Sequence, residues 1–164
     1  MNSLIIKIIA VCTLTMMSFG LFAQSEPEMK TLVATMNREM IELAKAGRFE
    51  AMGKYYDPDA ISLPNYRLME KGYDLILKNN LGRKNGGYKI VDGHKTTIKL
   101  FVETDIMVDI GTYSLTSDFP GMPQPKVDSG KYMNVWRKDK EGNWRIIAET
   151  WNADKSPNAP AGKK

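Results

Sequence analysis

The stretch Gly130–Asn152, GKYMNVWRKDKEGNWRIIAETWN, constrains this chain most, because it carries all three tryptophans, Trp136, Trp144 and Trp151. Two runs of strand-forming residues, Lys131–Arg137 and Trp144–Trp151, flank a charged turn that contains Gly142 and Asn143. Tyr132 and Trp136 alternate with Met133 and Val135, so both faces of the first run carry large side chains. Such a hairpin belongs inside a sheet, with something covering each face. Antiparallel pairing across a six-residue turn can set even-numbered residues opposite odd-numbered ones. Tyr132, Asn134 and Trp136 then share a face with Ile147, Glu149 and Trp151, while Met133, Val135, Ile146 and Ala148 take the other. The first face mixes aromatics with one amide and one carboxylate, the composition of a pocket wall. The second is wholly apolar and suits core or subunit contact.

The first residues, MNSLIIKIIAVCTLTMMSFGLFAQ, set Lys7 ahead of an apolar run from Ile8 to Phe22, with small residues at Gly20 and Ala23. This pattern predicts a signal peptide over 1–23, cut after Ala23, and export to the periplasm or the medium. A membrane anchor is the alternative, but the run is short for a span of about 20 residues and no basic flank follows it. No membrane partner is therefore expected after cleavage. Cys12, the single cysteine, leaves with the leader, so the mature domain has neither thiol nor disulfide and relies on its core. The formal net charge is +4, of which Lys7 supplies one charge. Lys138, Lys140, Lys163 and Lys164 form no stripe with interleaved aromatics, so nucleic acid is not an expected partner.

One domain, residues 24–153, follows from the length. Glu26–Ala46 reads as a helix, capped by Ser25 and stopped by Gly47, with Met29, Leu32, Val33, Met36, Met40, Leu43 and Ala44 on one stripe. A short helix over Arg48–Tyr56 precedes a turn at Asp57-Pro58-Asp59 and a strand at Ala60–Leu63. A third helix runs from Glu70 or Lys71 to Leu81. Strands are expected at Tyr88–Val91, Thr96–Glu103 and Asp105–Thr116. In the last of these, Ile106, Val108 and Ile110 point inward and a bulge at Gly111 switches the parity to Tyr113 and Leu115. Asp105 and Asp109 then face outward or lie at an edge. Residues 154–164 read as a disordered tail. Helices first and strands later make the class α+β, and the hairpin order makes the sheet antiparallel.

Three segments resemble the nuclear-transport-factor-2-like superfamily, in its SnoaL-like and ketosteroid-isomerase-like branch. They are AKAGRFEAMGKYYDPDAISLP (Ala44–Pro64), MEKGYDLI (Met69–Ile76) and Gly130–Asn152. The resemblance implies a curved antiparallel sheet wrapped around three helices, a cone with an apolar pocket at its open end, and a homodimer through the convex face. The ketosteroid isomerase mechanism needs an Asp base with a Tyr and a protonated Asp as oxyanion hole. Carried over by position, the Tyr falls on Met40, the Asp base on Pro64 and the protonated Asp on Asn134. Met40 and Pro64 lose their roles and Asn134 cannot abstract a proton, which argues against steroid isomerisation.

Glu149, with Asn134 beside it, is the strongest catalytic candidate, since a partly desolvated carboxylate can give or take a proton near neutral pH. The opposing reading pairs Glu149 with a base or leaves it in solvent. Met40, Tyr56, Tyr113, Tyr132, Trp136, Ile147 and Trp151 are the candidate ligand-binding residues, against the plainer reading that such aromatics are core. His94 follows Asp92-Gly93 in what looks like a turn, and a single His cannot build a His-rich metal site. No phosphate loop, nucleophile elbow or zinc motif is present, so neither metal nor cofactor is expected. Three functions follow: a pocket domain for a small apolar ligand with a carbonyl or hydroxyl; a cofactor-free isomerase, cyclase, dehydratase or hydrolase using Glu149; and a protein-interaction domain whose cone is filled by its own side chains.

Overall fold

The structure, a computed structural model, describes residues 25–155. The expected signal peptide and the tail from 156 onward lie outside the described residues. Helix α1, Glu26–Lys45, opens with the Ser25 amide donating to Glu28 Oε2 at 2.8 Å, so one of the free amides of the first turn is satisfied by a nearby carboxylate. Its stripe Met29, Val33, Met36, Met40 and Ala44 is buried. A 3₁₀ helix, Phe49–Tyr55, stands where the second helix was expected and buries Phe49, Met52 and Tyr55. Helix α2, Tyr73–Asn85, begins later than expected, because Glu70–Lys71 forms a two-residue strand, β2, paired with β1, Tyr56–Leu63.

The remaining strands are β3, Lys89–Glu103, β4, Ile106–Asp118, β5, Lys126–Lys138, and β6, Trp144–Ala153. The six form one curved, unclosed sheet in the order β2-β1-β6-β5-β4-β3. All neighbours are antiparallel except β1 and β6, which run parallel. The α+β class and the cone arrangement therefore hold, while the expectation of a purely antiparallel sheet is corrected at this one pair. A parallel pair needs a long crossover, and α2 with β3 to β5 supplies it.

Bulges set the curvature and correct several expected registers. In β3 the pairing slips at Val91 and again at Ile98, so one 15-residue strand replaces two short ones. His94 lies within that strand, exposed, rather than in a turn. The Ile98 slip also switches the inner face from Lys95 and Thr97 to Leu100. Strand β4 keeps a single parity: Met107, Asp109, Gly111 and Tyr113 are all buried, and Ile110 is exposed. The bulge predicted at Gly111 is thus in the neighbouring strand. The glycine serves another purpose, because a Cβ there would lie 2.8 Å from the Tyr132 ring. In β6 the slip falls at Ile147, so Ile146 pairs with Trp136 on the inner face and Ile147 is the extra residue. Each extra residue kinks its strand and tightens its twist. The Asp57-Pro58-Asp59 segment, expected as a turn, is an irregular part of β1 opposite β6.

The core joins the α1 stripe to Phe49, Met52, Ile76, Met107, Trp136, Trp144 and Ile146. Trp136 is 0% exposed, and its cross-strand neighbours Met107 and Ile146 are fully buried with it.

Candidate functional site

Register lines the concave face in cross-strand rows. Above the row Met107, Trp136 and Ile146 comes a polar row: Asp109 on β4, Asn134 on β5, Glu149 on β6 and Ser62 on β1, each the direct partner of the next. Gly111, Tyr132 and Trp151 form the row above, and Tyr113 pairs with Lys95 nearer the rim. Asp109 is 0%, Asn134 1% and Glu149 8% exposed, so the row is desolvated and opens slightly at Glu149. Asn134 and Glu149 therefore share one face, as expected. Asp109 belongs to the same row, which corrects its expected outward placement: the odd parity of Gly111 and Tyr113 runs unbroken back through it.

Each buried carboxylate has its own donors. Asp109 accepts from the Tyr132 hydroxyl at 3.1 and 3.0 Å and from Asn37 Nδ2 at 3.1 Å. The same Asn37 nitrogen lies 3.3 Å from the Tyr132 hydroxyl, which also meets Thr97 Oγ1 at 3.4 Å. Glu149 accepts from Tyr56 Oη at 3.0 Å through Oε2 and from Ser62 Oγ at 2.9 Å through Oε1. Burial, joined by the charge of Glu149, pushes the Tyr56 hydroxyl well above the ordinary tyrosine range. Burial does the same for Tyr132, with Asp109 adding to it. Both phenols therefore stay protonated and act as donors. Tyr113, also buried, donates to Asp128 Oδ2 at 3.0 Å near the rim.

Three polar atoms of this interior lack a partner among the described residues: Asn37 Oδ1, Asn134 Nδ2 and Trp136 Nε1. Buried polar atoms are nearly always paired, so three orphans around one face are unusual. Lys95 points over the Tyr132 ring, its amine 4.7 Å from the centroid. Among the described residues it forms no ion pair.

Among the expected ligand residues, Tyr56, Tyr113, Tyr132, Trp136 and Trp151 lie on the concave face. Met40 packs in the α1 core stripe, and Ile147 gives way to Ile146 through the β6 bulge. Tyr66, in the turn that follows β1, is largely exposed. Asn37, Ser62, Lys95, Thr97 and Asp109 are not among the expected site residues. Asn37 did carry a signal, since it falls on the α1 stripe four residues after Val33 and three before Met40. Lys95 and Thr97 carried none, because their orientation depends on the bulge at Ile98.

Chemically, the row offers two carboxylates flanking an amide, two phenols and an amine on one desolvated surface. It can hold a polar group of a small molecule by hydrogen bonds. Among the described residues no cluster of His, Cys, Asp and Glu is arranged to hold a metal ion. An open groove of about 480 Å³ runs along α2, lined by Asp74, Leu77, Lys78, Leu81, Gly82 and Asn85, and none of the residues above lines it.

No family model and no curated protein sequence matches the chain. Solved structures match it by shape. A nuclear transport factor 2-like superfamily protein from Salmonella enterica serovar Typhimurium superposes with a TM-score of 0.67 at 14% identity, covering 85% of this chain and 100% of that one. A ketosteroid isomerase-like protein from Erwinia carotovora atroseptica gives 0.67 at 12% identity, covering 80% and 99%. An NTF2-like protein from Cytophaga hutchinsonii gives 0.62 at 12% identity, covering 75% and 96%. With its six-stranded curved sheet wrapped on three helices, the chain has the nuclear-transport-factor-2-like fold that the ketosteroid isomerase-like protein shares.

Proposed function

We propose that this chain is an exported domain that binds a small molecule on the concave face of its sheet, the ligand being mostly apolar with one carbonyl or hydroxyl. The observation that carries the reading is Asn134, buried between Asp109 and Glu149 with its Nδ2 unpaired. An unpaired buried donor costs about 1–3 kcal/mol. A ligand oxygen accepting from that amide would recover this, and Tyr132 and Trp151 would flank the apolar remainder. The test is native mass spectrometry of protein purified from the periplasm or the medium. A bound mass that also raises the melting temperature when added back supports the reading. No bound mass, together with no stabilisation by aromatic or aliphatic ketones and alcohols, sinks it.

A second reading is a cofactor-free isomerase, cyclase, dehydratase or hydrolase with Glu149 as acid or base. What favours it is access: Glu149 is the more exposed of the two carboxylates in the polar row, and both its oxygens already meet hydroxyl groups through which a proton could pass. Loss of turnover in Glu149→Gln, with substrate binding retained, is the outcome this reading requires.

Homodimerisation through the convex face belongs to the same proposal. Phe101, Ile110, Met133, Ile61 and Leu63 are exposed there, and the register places Ile110 beside Met133 in the middle of the sheet. Exposed apolar patches of this kind mark contact surfaces.

A further inference from the structure

Lys95 is the half-buried amine that neither reading above uses. It projects from the inner face of β3, two residues before Thr97 and opposite Tyr113 of β4. Its amine lies over the Tyr132 ring, on the face that carries Asp109 and Glu149, yet it pairs with neither carboxylate. A lysine on a flexible stem would normally reach solvent or a carboxylate. Here the side chain is only partly exposed and its neighbours are an aromatic face and the polar row.

We propose that Lys95 is a nucleophilic amine that captures the carbonyl group of a small aromatic or aliphatic aldehyde or ketone held in the cone. The proposal rests on the small-molecule reading of the same face. The amine nitrogen adds to the carbonyl carbon, forming the C–N bond, and the carbonyl oxygen leaves as water with the two hydrogens of the amine. The product is a C=N bond between Lys95 and the ligand, and no oxidant or reductant is consumed. The unpaired Asn134 Nδ2 is the donor on this face that would hold the oxygen before it leaves.

The electrostatics agree with this placement. Burial pulls the Lys95 pKa below the ordinary lysine range, while Glu149 and Asp109 pull it back up without cancelling the effect. The groups facing the amine are Asp109 and Tyr113 from β4, Tyr132 and Asn134 from β5, and Glu149 from β6. Helix α1 contributes the neutral Asn37 to this face. The ring face favours the ammonium form, so burial is the influence that frees the amine. Desolvation is a general way of activating a lysine nucleophile.

The experiment incubates the mature protein with benzaldehyde and cyanoborohydride at pH 7 and maps the reduced adducts by peptide mass spectrometry. Lys95 should be modified faster than the exposed Lys140, since a lowered pKa raises the free-amine fraction at pH 7. Benzyl alcohol, which has the ring without the carbonyl, should protect Lys95 and leave Lys140 unchanged. Lys95→Gln, checked for an unchanged circular dichroism spectrum, should lose the fast adduct. Modification of Lys95 no faster than Lys140 overturns the proposal. If benzyl alcohol then still perturbs tryptophan fluorescence saturably, the pocket reading survives alone. If it does not, both fail.

Discussion

Asn134 and Glu149 face each other directly across β5 and β6, and Asp109 extends the same row onto β4. The amide sits between two carboxylates, but each carboxylate is satisfied from elsewhere, Asp109 by α1 and Tyr132, Glu149 by Tyr56 and Ser62. The row is therefore two separate hydrogen-bonded groups with a free amide between them.

Glu149→Gln tests the group formed with Tyr56 and Ser62. Both carboxylate oxygens accept from hydroxyls, so an amide nitrogen must turn towards one of them. The substitution should destabilise the fold by about 1–3 kcal/mol in urea titration. An unchanged midpoint would mean that the Tyr56 and Ser62 bonds carry no net stability.

Asn37 and Asp109 should be coupled. Asn37→Ala removes one donor from a fully buried carboxylate, and Asp109→Ala removes the acceptor that Asn37 Nδ2 and the Tyr132 hydroxyl share. A double-mutant cycle should return a coupling above about 0.5 kcal/mol, the scale for residues in one network. Simple additivity would count against the contact.

Glycine substitutions should differ in sign. At Gly111 an added methyl would lie 2.1 Å from the Thr96 carbonyl oxygen and 2.8 Å from the Tyr132 ring, so Gly111→Ala should cost at least about 1–3 kcal/mol by overpacking. At Gly82, inside α2, nothing lies within 4 Å, so Gly82→Ala should stabilise by up to about 1 kcal/mol. Thermal melts of the two variants settle both signs.

The β5–β6 turn should show acid sensitivity. Partial burial alone would raise the Asp139 pKa, but the Asn143 amide and Arg145 outweigh it and bring the value down to about 2. With the folded value below the unfolded one of about 3.9, its contribution is complete above the unfolded pKa and is lost as pH falls through about 2. Asp139→Asn should therefore destabilise at pH 6 and converge with the parent protein near pH 2. Carboxyl NMR of Asp139 should titrate with a midpoint near 2.

The proposed homodimer predicts that Ile110→Lys with Met133→Glu will halve the mass seen by light scattering and leave the circular dichroism unchanged. The two positions are cross-strand partners on the outer face, so the new charges face each other and the sheet tolerates them. A parent protein that is already monomeric removes this part of the proposal.

The sequence by itself determined the elements and the class. Helical spacing from Met29 to Ala44 and the Trp-bearing hairpin are local patterns, and local patterns survive without coordinates. The hairpin reading also put Asn134 and Glu149 on one face, and the β6 slip at Ile147 is what makes that parity hold there while Ile146 replaces Ile147 nearer the turn. What only the tertiary structure decided was the facing of residues beyond a bulge. One extra residue reverses every later side chain in a strand, and that moved Ile146 inward, brought Lys95 and Thr97 onto the concave face, and left β4 with a single parity that buries Asp109. The partnership of Asn37 with Asp109 lay out of reach for the same reason, since it joins residues 72 positions apart through the packing of α1 on the sheet.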